Sequence, residues 1–364
     1  QAEDGIRDRV ASRGLGDVYK RQPQRLRSDI WKDHMEIVVL GAGALGSIIS
    51  GHLARAGESV SLIARGERAR YLQQNGITLT GLAEFNVTCP VITDPKTLTE
   101  KDVLILAVKS QDVEIALSDV SGAHFGSVLS VQNGVYGNDQ IARMFGASST
   151  LGATAAFSGE VELQGGVSFT ANAGFFIGEL PSGISTRVSS IVKTLNNAGI
   201  NTEASPDIQS LQWSKFVLWV AYTSISVITR QPTYRFLADY DTSLLCARIM
   251  REMAAIANDR AITLQDVGWP VLPVINDTED KAIESLNHLS KTLEQSASGH
   301  KMSALQDLEN RKELEIEATL GYAVSEAQTR GITIPTLDVC YSLIKGINRS
   351  NRRDLSTNIE SDEN

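Results

Sequence analysis

The chain has 364 residues, enough for two domains that each bury their own core. Its hydrophobic share of 42% and charged share of 21% are ordinary for a globular protein. A net charge of −9 argues against a nucleic-acid partner, and no apolar run approaches the roughly 18–20 residues that a membrane span needs.

The three cysteines, Cys89, Cys246 and Cys340, are far apart in the sequence and lack the close spacing of a metal site. The five histidines show no paired spacing either. We therefore expect no metal, free thiols in a reducing compartment and a cytoplasmic protein.

The first 34 residues lack the apolar periodicity of a folded segment. They contain no apolar core of a signal peptide, and their acids count against a transit peptide. Met35 directly precedes the first predicted strand. We expect residues 1–34 to be a disordered or non-native tail and Met35 to be the natural start.

A glycine-rich segment at 41–46 joins a predicted buried strand, 36–40, to a predicted helix. In this context the first glycine allows a tight turn, the second lets the backbone approach a pyrophosphate, and the third lets helix and strand pack closely. The helix N-terminus adds free N–H groups. A dinucleotide is therefore expected at this segment, although a glycine-rich turn without a ligand is the alternative. The residues concerned are Gly41, Ala42, Gly43, Ala44, Leu45 and Gly46.

Arg65 stands at the end of the second predicted strand, 59–63, about 20 residues beyond the glycines. NAD-specific folds usually place an acid there to bind the ribose 2′-hydroxyl. A guanidinium suits a 2′-phosphate instead, and Arg68 and Arg70 follow closely. The sequence therefore favours NADP over NAD, the alternative being a solvated basic turn.

Two further strand ends carry polar side chains. The apolar run 103–108 predicts a central parallel strand and is followed by Lys109, while the strand 127–131 is followed by Asn133. Ligands of open α/β sheets bind outside the carboxyl ends of the strands. We therefore expect Lys109 and Asn133 to share an edge with the glycine segment.

The remaining pattern divides the chain into two domains. Residues 149–180 predict three short strands at 151–154, 166–170 and 174–178, and a helix at 184–198 and a strand at 200–203 follow. Long helical segments then begin at Asp207. We predict a Rossmann-type α/β domain over 35–205, an all-α domain over 206–350 and a polar disordered tail over 351–364. The helices expected after Pro206 cover 207 to the 220s, 242–261, 277–295, 303–330 and 337–347.

From Met35 to about Gly346 the chain resembles the ketopantoate reductases (2-dehydropantoate 2-reductases). The motifs that carry the resemblance are 40–46, Ala107-Val108-Lys109, Gln132-Asn133-Gly134, Trp213-Ser214-Lys215-Phe216, Ser303-Ala304-Leu305-Gln306-Asp307 and Glu315-Ile316-Glu317. The resemblance implies a Rossmann domain and a helical domain like that of 6-phosphogluconate dehydrogenase, with the substrate in the cleft between them. It also implies a homodimer that uses NADPH to reduce a 2-oxo acid, with ketopantoate, a precursor of pantothenate, as the leading substrate.

Lys215 resembles the general acid of this family. Hydride transfer to a ketone leaves a negative oxygen, which an ammonium can both polarise and protonate. Desolvation in a closed cleft brings a lysine pKa towards neutrality. The alternative is a surface lysine whose stem lies along Trp213 and Phe216.

Four other residues resemble binding residues of the family. Glu315 corresponds to the acid that bonds the substrate hydroxyl and orders the site, and Ser303 to a serine that binds substrate. Asn133 corresponds to an asparagine that contacts cofactor and substrate, and Lys109 to a lysine that reaches the cofactor. The alternatives are a solvated helix face, a helix N-cap, a turn residue and a solvated strand end respectively.

Ser303 and Glu315 are 12 residues apart, or about 18 Å along one straight helix, which is too far for one small substrate. The segment 310–313 has the pattern of a capping box, with Asn310 as N-cap and Glu313 three positions later. We therefore predict a helix break near Asn310.

The chain departs from the family at three substrate positions. Family members carry asparagines four and eight residues after the lysine and a third further on, where this chain has Trp219, Thr223 and Thr233. A site that binds its substrate through hydrogen bonds discriminates against substrates that cannot form them. A bulkier or more apolar 2-oxo acid, or another carbonyl compound, is therefore an alternative substrate. A non-catalytic NADP(H)-binding sensor and a dehydrogenase that works in the oxidative direction are further alternatives.

Overall fold

The computed structural model describes residues 35–362. The tail expected over residues 1–34 lies outside this range. Within it, all strands precede Ser205, and the chain from Ile208 onward consists of helices and their connections. A parallel-sheet α/β region is thus followed by a helical region, as the sequence predicts.

The α/β region alternates strands and helices, with short 3₁₀ turns at Pro95–Thr97 and Ser110–Asp112. Its elements are β1 (Ile37–Leu40), α1 (Ala44–Arg55), β2 (Val60–Ile63), α2 (Gly66–Asn75), β3 (Ile77–Gly81), β4 (Phe85–Val87), β5 (Val91–Ile92), β6 (Glu100–Leu106), α3 (Val113–Asp119), β7 (His124–Ser130), α4 (Tyr136–Phe145), β8 (Leu151–Val161), β9 (Val167–Glu179), α5 (Thr186–Asn197) and β10 (Thr202–Ala204).

The first sheet is parallel, with strand order β5-β2-β1-β6-β7. All four residues of β1 are buried, because helices cover both faces of the sheet. Side chains on one face pack with those of α1, and those on the other face pack with α3 and α4. The carboxyl ends of β1, β2, β6 and β7 therefore meet at one edge.

The second sheet is mixed, with order β10-β9-β3-β4 and β8 antiparallel to β9. The sequence predicts three short strands here, whereas the structure has two long ones. Asn172, which has the character of a turn residue between two of the predicted strands, lies inside β9, as does Gly174 at the start of the third. The side chain of Asn172 accepts a hydrogen bond from the Asn201 backbone at 3.1 Å, and the Phe176 ring covers Gly174.

The helical region surrounds α6, which is apolar on almost every side and buried along most of its length. No helix among residues 35–362 is long and apolar enough to cross a membrane. The elements are α6 (Ile208–Thr229), α7 (Thr233–Ala238), α8 (Tyr240–Asp259), α9 (Leu272–Asn276), α10 (Glu279–Ser296), α11 (Ser303–Glu309), a π-helical turn (Glu317–Gly321), α12 (Tyr322–Arg330) and α13 (Pro335–Asp362).

The predicted helix break near Asn310 is confirmed, but the predicted capping box is wrong. Asn310 ends α11 instead of beginning a helix, and Arg311 has a left-handed backbone with φ of 54°. The side chain of Asn348 accepts a hydrogen bond from the Leu314 N–H at 3.1 Å and holds the loop. The chain re-enters helix only at the π-helical turn.

The last helix extends beyond its expected end at Ile347 and runs to Asp362, so a disordered tail from residue 351 is wrong for the described part. Neither glycine nor proline occurs between 347 and 362 to stop a helix. Asn351, which the sequence places in the tail, donates to the Lys312 carbonyl at 2.7 Å.

Candidate active site

The glycine segment lies against the end of β6. Gly41 has φ of 115°, and a Cβ there would lie 2.7 Å from the Val108 nitrogen. A Cβ on Gly46 would lie 1.9 Å from the Gly41 carbonyl oxygen. Gly43 is different, since no described heavy atom outside its immediate neighbours lies within 4 Å of its Cβ position. The first and third glycines thus allow close packing, while the second leaves open space at the start of α1, which fits a phosphate.

Arg68 holds this segment in place, a role that the sequence analysis did not assign. Its Nε donates to the Ala42 carbonyl at 2.9 Å, and its Nη2 donates to the Ser47 hydroxyl at 3.0 Å. Its Nη1 donates to the Gly165 carbonyl in the turn between β8 and β9. Burial lowers the pKa of this guanidinium. Arg68 therefore ties α2, the glycine segment and the second sheet together.

Arg65 lies where the sequence places it, at the carboxyl end of β2 and the N-cap position of α2. Its side chain is 52% exposed and forms an ion pair with Asp119 at the end of α3. The guanidinium is thus accessible to a ligand, but it already has an anionic partner.

Lys109 connects the two regions. Its ammonium lies 3.1 Å from a carboxylate oxygen of Asp307 in α11 and 3.8 Å from one of Glu315. Glu315 also accepts a hydrogen bond from the Ser110 N–H at 3.2 Å. Burial raises the pKa of Glu315. The structure therefore brings together two predicted residues, Lys109 and Glu315, and adds Asp307, which the sequence analysis quoted in a motif without giving it a role.

Lys215 projects from α6 towards β8, where its Nζ donates to the Ala155 carbonyl at 2.5 Å. The residue is only partly exposed, and burial lowers the pKa of the ammonium from 10.5 to about 8. No carboxylate in the described part of the chain lies within ion-pair distance of it. Burial thus brings the pKa of this ammonium closer to neutrality.

Asn133 follows β7 in an exposed turn, and its amide makes no hydrogen bond to other residues in the range 35–362. The next residue, Gly134, has φ of 86°, and a Cβ there would be 3.5 Å from both Phe216 and Thr319. Asn133 is therefore fixed beside the helix that carries Lys215, with its side chain free for a ligand.

The three departures from the family lie in or against the helical core. Trp219 is only 7% exposed, while Thr223 is fully buried, and its hydroxyl has no hydrogen-bond partner within the described range. Thr233 is also buried, and its hydroxyl lies 2.9 Å from Nδ1 of His300, a residue that the sequence analysis missed. Trp219 and Thr223 share the face of α6 that bears Lys215, because they follow it at intervals of four.

Ser303 is exposed at the first position of α11 rather than at the N-cap, which is Met302. No hydrogen bond or ion pair joins Ser303, Lys215 and Glu315 to one another in the described structure. Lys215 and Glu315 lie in one region through intermediate contacts, since Gly134 packs on Phe216, next to Lys215, and on Thr319, near Glu315. The arrangement combines a dinucleotide-type glycine segment with a lysine whose pKa is lowered by burial and with a half-buried carboxyl.

Comparison with known proteins identifies the family of the chain. Residues 37–182 match the family model "Ketopantoate reductase PanE/ApbA", and residues 207–348 match that of its C-terminal part. A 2-dehydropantoate 2-reductase of Pyrococcus abyssi is 28% identical over 315 residues, which cover 86% of this chain and 97% of the relative.

Solved structures have the same fold. A PanE/ApbA family ketopantoate reductase from Ralstonia eutropha JMP134 superposes with a TM-score of 0.73 at 24% identity, covering 87% of this chain and 100% of that one. A D-mandelate dehydrogenase solved with NADH and anilino(oxo)acetate superposes with a TM-score of 0.74 at 18% identity, covering 87% and 100%. Because the two family models together match most of the chain, it belongs to the ketopantoate reductase family of oxidoreductases.

Proposed function

We propose that the protein reduces a 2-oxo acid to a 2-hydroxy acid with NADPH, and that 2-dehydropantoate, which would yield pantoate for pantothenate biosynthesis, is the leading substrate. The observation that carries the proposal is the enclosed ammonium of Lys215, whose pKa is lowered to about 8 beside the turn that bears Asn133. A general acid works best when its pKa lies near the working pH.

The residues of the chain divide the work of the reaction. A bound reduced nicotinamide supplies the hydride. Lys215 stabilises the negative charge that develops on the carbonyl oxygen and then gives it a proton from Nζ. The Asn133 amide, which has no hydrogen-bond partner among residues 35–362, orients cofactor and substrate beside α6.

Glu315 has a separate role in this proposal. Its carboxyl bonds the substrate hydroxyl, while Ser110 and Lys109 hold it in position. Lys109 belongs to the α/β region, so its contacts with Asp307 and Glu315 also keep the two walls of the cleft together. Ser303, exposed at the start of α11, is available to donate to the substrate.

A different 2-oxo acid is the second candidate, and the wall of α6 favours it. At the position of the first family asparagine, Trp219 presents an indole, and the hydroxyl of Thr223 cannot replace the reach of an amide. The hydroxyl of Thr233 is already engaged by His300. Each change removes a hydrogen-bonding group or replaces it by an apolar one, which favours a bulkier or more apolar substrate.

A panel of 2-oxo acids tests the proposal directly. We expect absorbance at 340 nm to fall when NADPH is supplied with 2-dehydropantoate or with an analogue bearing a larger apolar side chain. The substrate with the highest kcat/KM identifies the reaction. Tight NADPH binding without turnover on any member of the panel would instead support a non-catalytic sensor.

Arg65 is proposed to bind the 2′-phosphate of NADPH. We expect Arg65→Ala to raise the Kd of NADPH about ten- to hundredfold and to leave the Kd of NADH within about twofold, because only NADPH carries the lost ion pair. Fluorescence titration of the two reduced cofactors measures both constants. Equal losses for NADPH and NADH would contradict a 2′-phosphate role. Arg70→Ala, at an exposed arginine that pairs with Glu67, is the matched control.

We also propose a cytoplasmic homodimer with a domain division near residue 205, in line with the family resemblance. Sedimentation equilibrium measures the assembly state, and a monomer at micromolar concentration would contradict it.

A further inference from the structure

The ion pair between Arg65 and Asp119 bears on cofactor choice. Arg65 comes from the carboxyl end of β2, and Asp119 is the last residue of α3, 54 positions away. The Arg65 side chain is 52% exposed and that of Asp119 is 27% exposed. The carboxylate is thus held against the guanidinium at a place that a soluble ligand can reach.

The other two arginines of this segment are occupied elsewhere. Arg68 donates to Ala42, Ser47 and Gly165 and supports the glycine segment. Arg70 is 70% exposed and lies 3.8 Å from Glu67 within the same helix. A phosphate at the end of β2 would therefore bind to Arg65, and it would have to compete with the Asp119 carboxylate for the guanidinium.

We propose that Asp119 is a specificity-determining residue that weakens the preference for NADPH over NADH by acting through Arg65. A 2′-phosphate must displace the carboxylate from the guanidinium and then lie close to it, with like charge. NADH has no such group, so its binding leaves the ion pair intact. This inference rests on the proposed role of Arg65 as the 2′-phosphate ligand.

The expected size of the effect follows from the exposure of the pair. An exposed ion pair contributes little free energy, and water and salt screen the repulsion between carboxylate and phosphate. The free energy of the ion pair and that of the screened repulsion together correspond to about a five- to tenfold change in Kd for NADPH. The effect adjusts an existing preference rather than creating one.

Four variants of the full chain test the proposal, with Kd measured for NADPH and for NADH by fluorescence titration. They are Asp119→Asn, Glu114→Gln, Arg65→Ala and the double variant Arg65→Ala/Asp119→Asn. Glu114 is exposed on the same helix, so its variant removes one negative charge without touching Arg65. Asp119→Asn keeps the shape of the side chain and removes only its charge.

We expect Asp119→Asn to tighten NADPH about five- to tenfold while Kd for NADH stays within twofold. Glu114→Gln should leave both constants within twofold. In the Arg65→Ala background, Asp119→Asn should have a smaller effect, because the ion pair is already gone and only the screened repulsion between carboxylate and phosphate remains.

Several results would overturn the inference. An unchanged ratio of the Kd for NADH to the Kd for NADPH in Asp119→Asn would do so. This outcome includes the case in which both cofactors bind more tightly by the same factor. Weaker NADH binding in this variant would instead make Asp119 a ligand of the ribose hydroxyl. If Arg65→Ala lowers the ratio of the Kd for NADH to the Kd for NADPH while Asp119→Asn leaves this ratio unchanged, only the inference fails. If Arg65→Ala also leaves the ratio unchanged, the proposed role of Arg65 fails with it.

Discussion

Replacing Lys215 by methionine is expected to lower kcat for 2-oxo acid reduction by about 10²–10⁴-fold, the usual contribution of general acid catalysis. The variant should still bind NADPH, because the ammonium of Lys215 bonds to Ala155 and makes no hydrogen bond with the glycine segment in the described structure. Steady-state kinetics at 340 nm and fluorescence titration measure the two effects. Lys215→Arg is the matched control: it keeps the positive charge but holds its proton too tightly to donate it, so it should also remain slow. Unchanged turnover in the methionine variant would exclude the assignment.

The lowered pKa of Lys215 predicts two pH profiles. Reduction needs the ammonium, so the rate should fall as pH rises through about 8 in the wild type and stay flat in Lys215→Met.

The stability of the fold should increase as pH rises through the same range. The unfolded chain keeps the ordinary pKa near 10.5, so burial of the ammonium destabilises the fold below about pH 8, and this cost disappears between pH 8 and 10.5.

Lys215→Met should therefore unfold at a higher denaturant concentration than the wild type at neutral pH, by up to roughly 3 kcal/mol. The difference should vanish above about pH 10.5. A variant that is inactive and more stable cannot be explained by misfolding. A variant that is inactive and less stable at pH 7 would contradict the buried ammonium.

Gly46→Ala is expected to have the largest effect on the fold among single-methyl changes in the glycine segment. Its Cβ would lie 1.9 Å from the Gly41 carbonyl oxygen, a backbone atom that cannot move without shifting the end of β1. Overpacking of this kind costs about 3 kcal/mol or more. Chemical denaturation measures the loss, and an unchanged midpoint would show that α1 packs less closely than described.

Gly43→Ala provides the matched comparison. No described atom outside its immediate neighbours lies within 4 Å of the added methyl, so stability should change by less than about 1 kcal/mol, the cost of a poorer N-cap. Cofactor binding should nevertheless weaken at least tenfold, since the methyl occupies the space proposed for the pyrophosphate. Unaltered NADPH affinity would place the pyrophosphate elsewhere.

The features that the sequence predicts correctly depend on local spacing. The glycine segment lies between a strand and a helix, and the apolar run after Lys101 forms a central strand. The helix break near Asn310 is also present. It could be predicted because Ser303 and Glu315 are too far apart on one straight helix to reach the same substrate. Its cause could not be predicted, since the loop is held by Asn348 in a distant helix.

The features that the sequence analysis missed depend on long-range contacts. Arg68 meets Gly165 across 97 positions and Lys109 meets Asp307 across 198, and no local pattern indicates such pairs. The length of β9 also results from long-range contacts. Its pairing with β8 and β10 holds Asn172 and Gly174 in extended backbone despite their preference for turns.

The unequal surroundings of the three glycines have a consequence for how such sequences drift. Gly41 and Gly46 are held by backbone atoms of the protein itself, so any lineage that keeps the fold must keep them. Gly43 is constrained by the ligand alone in the proposed function. If a descendant lost its cofactor, we expect substitutions to accumulate at position 43 first. A library selected only for folding, such as by protease resistance, should show the same order: tolerance at 43 and intolerance at 41 and 46.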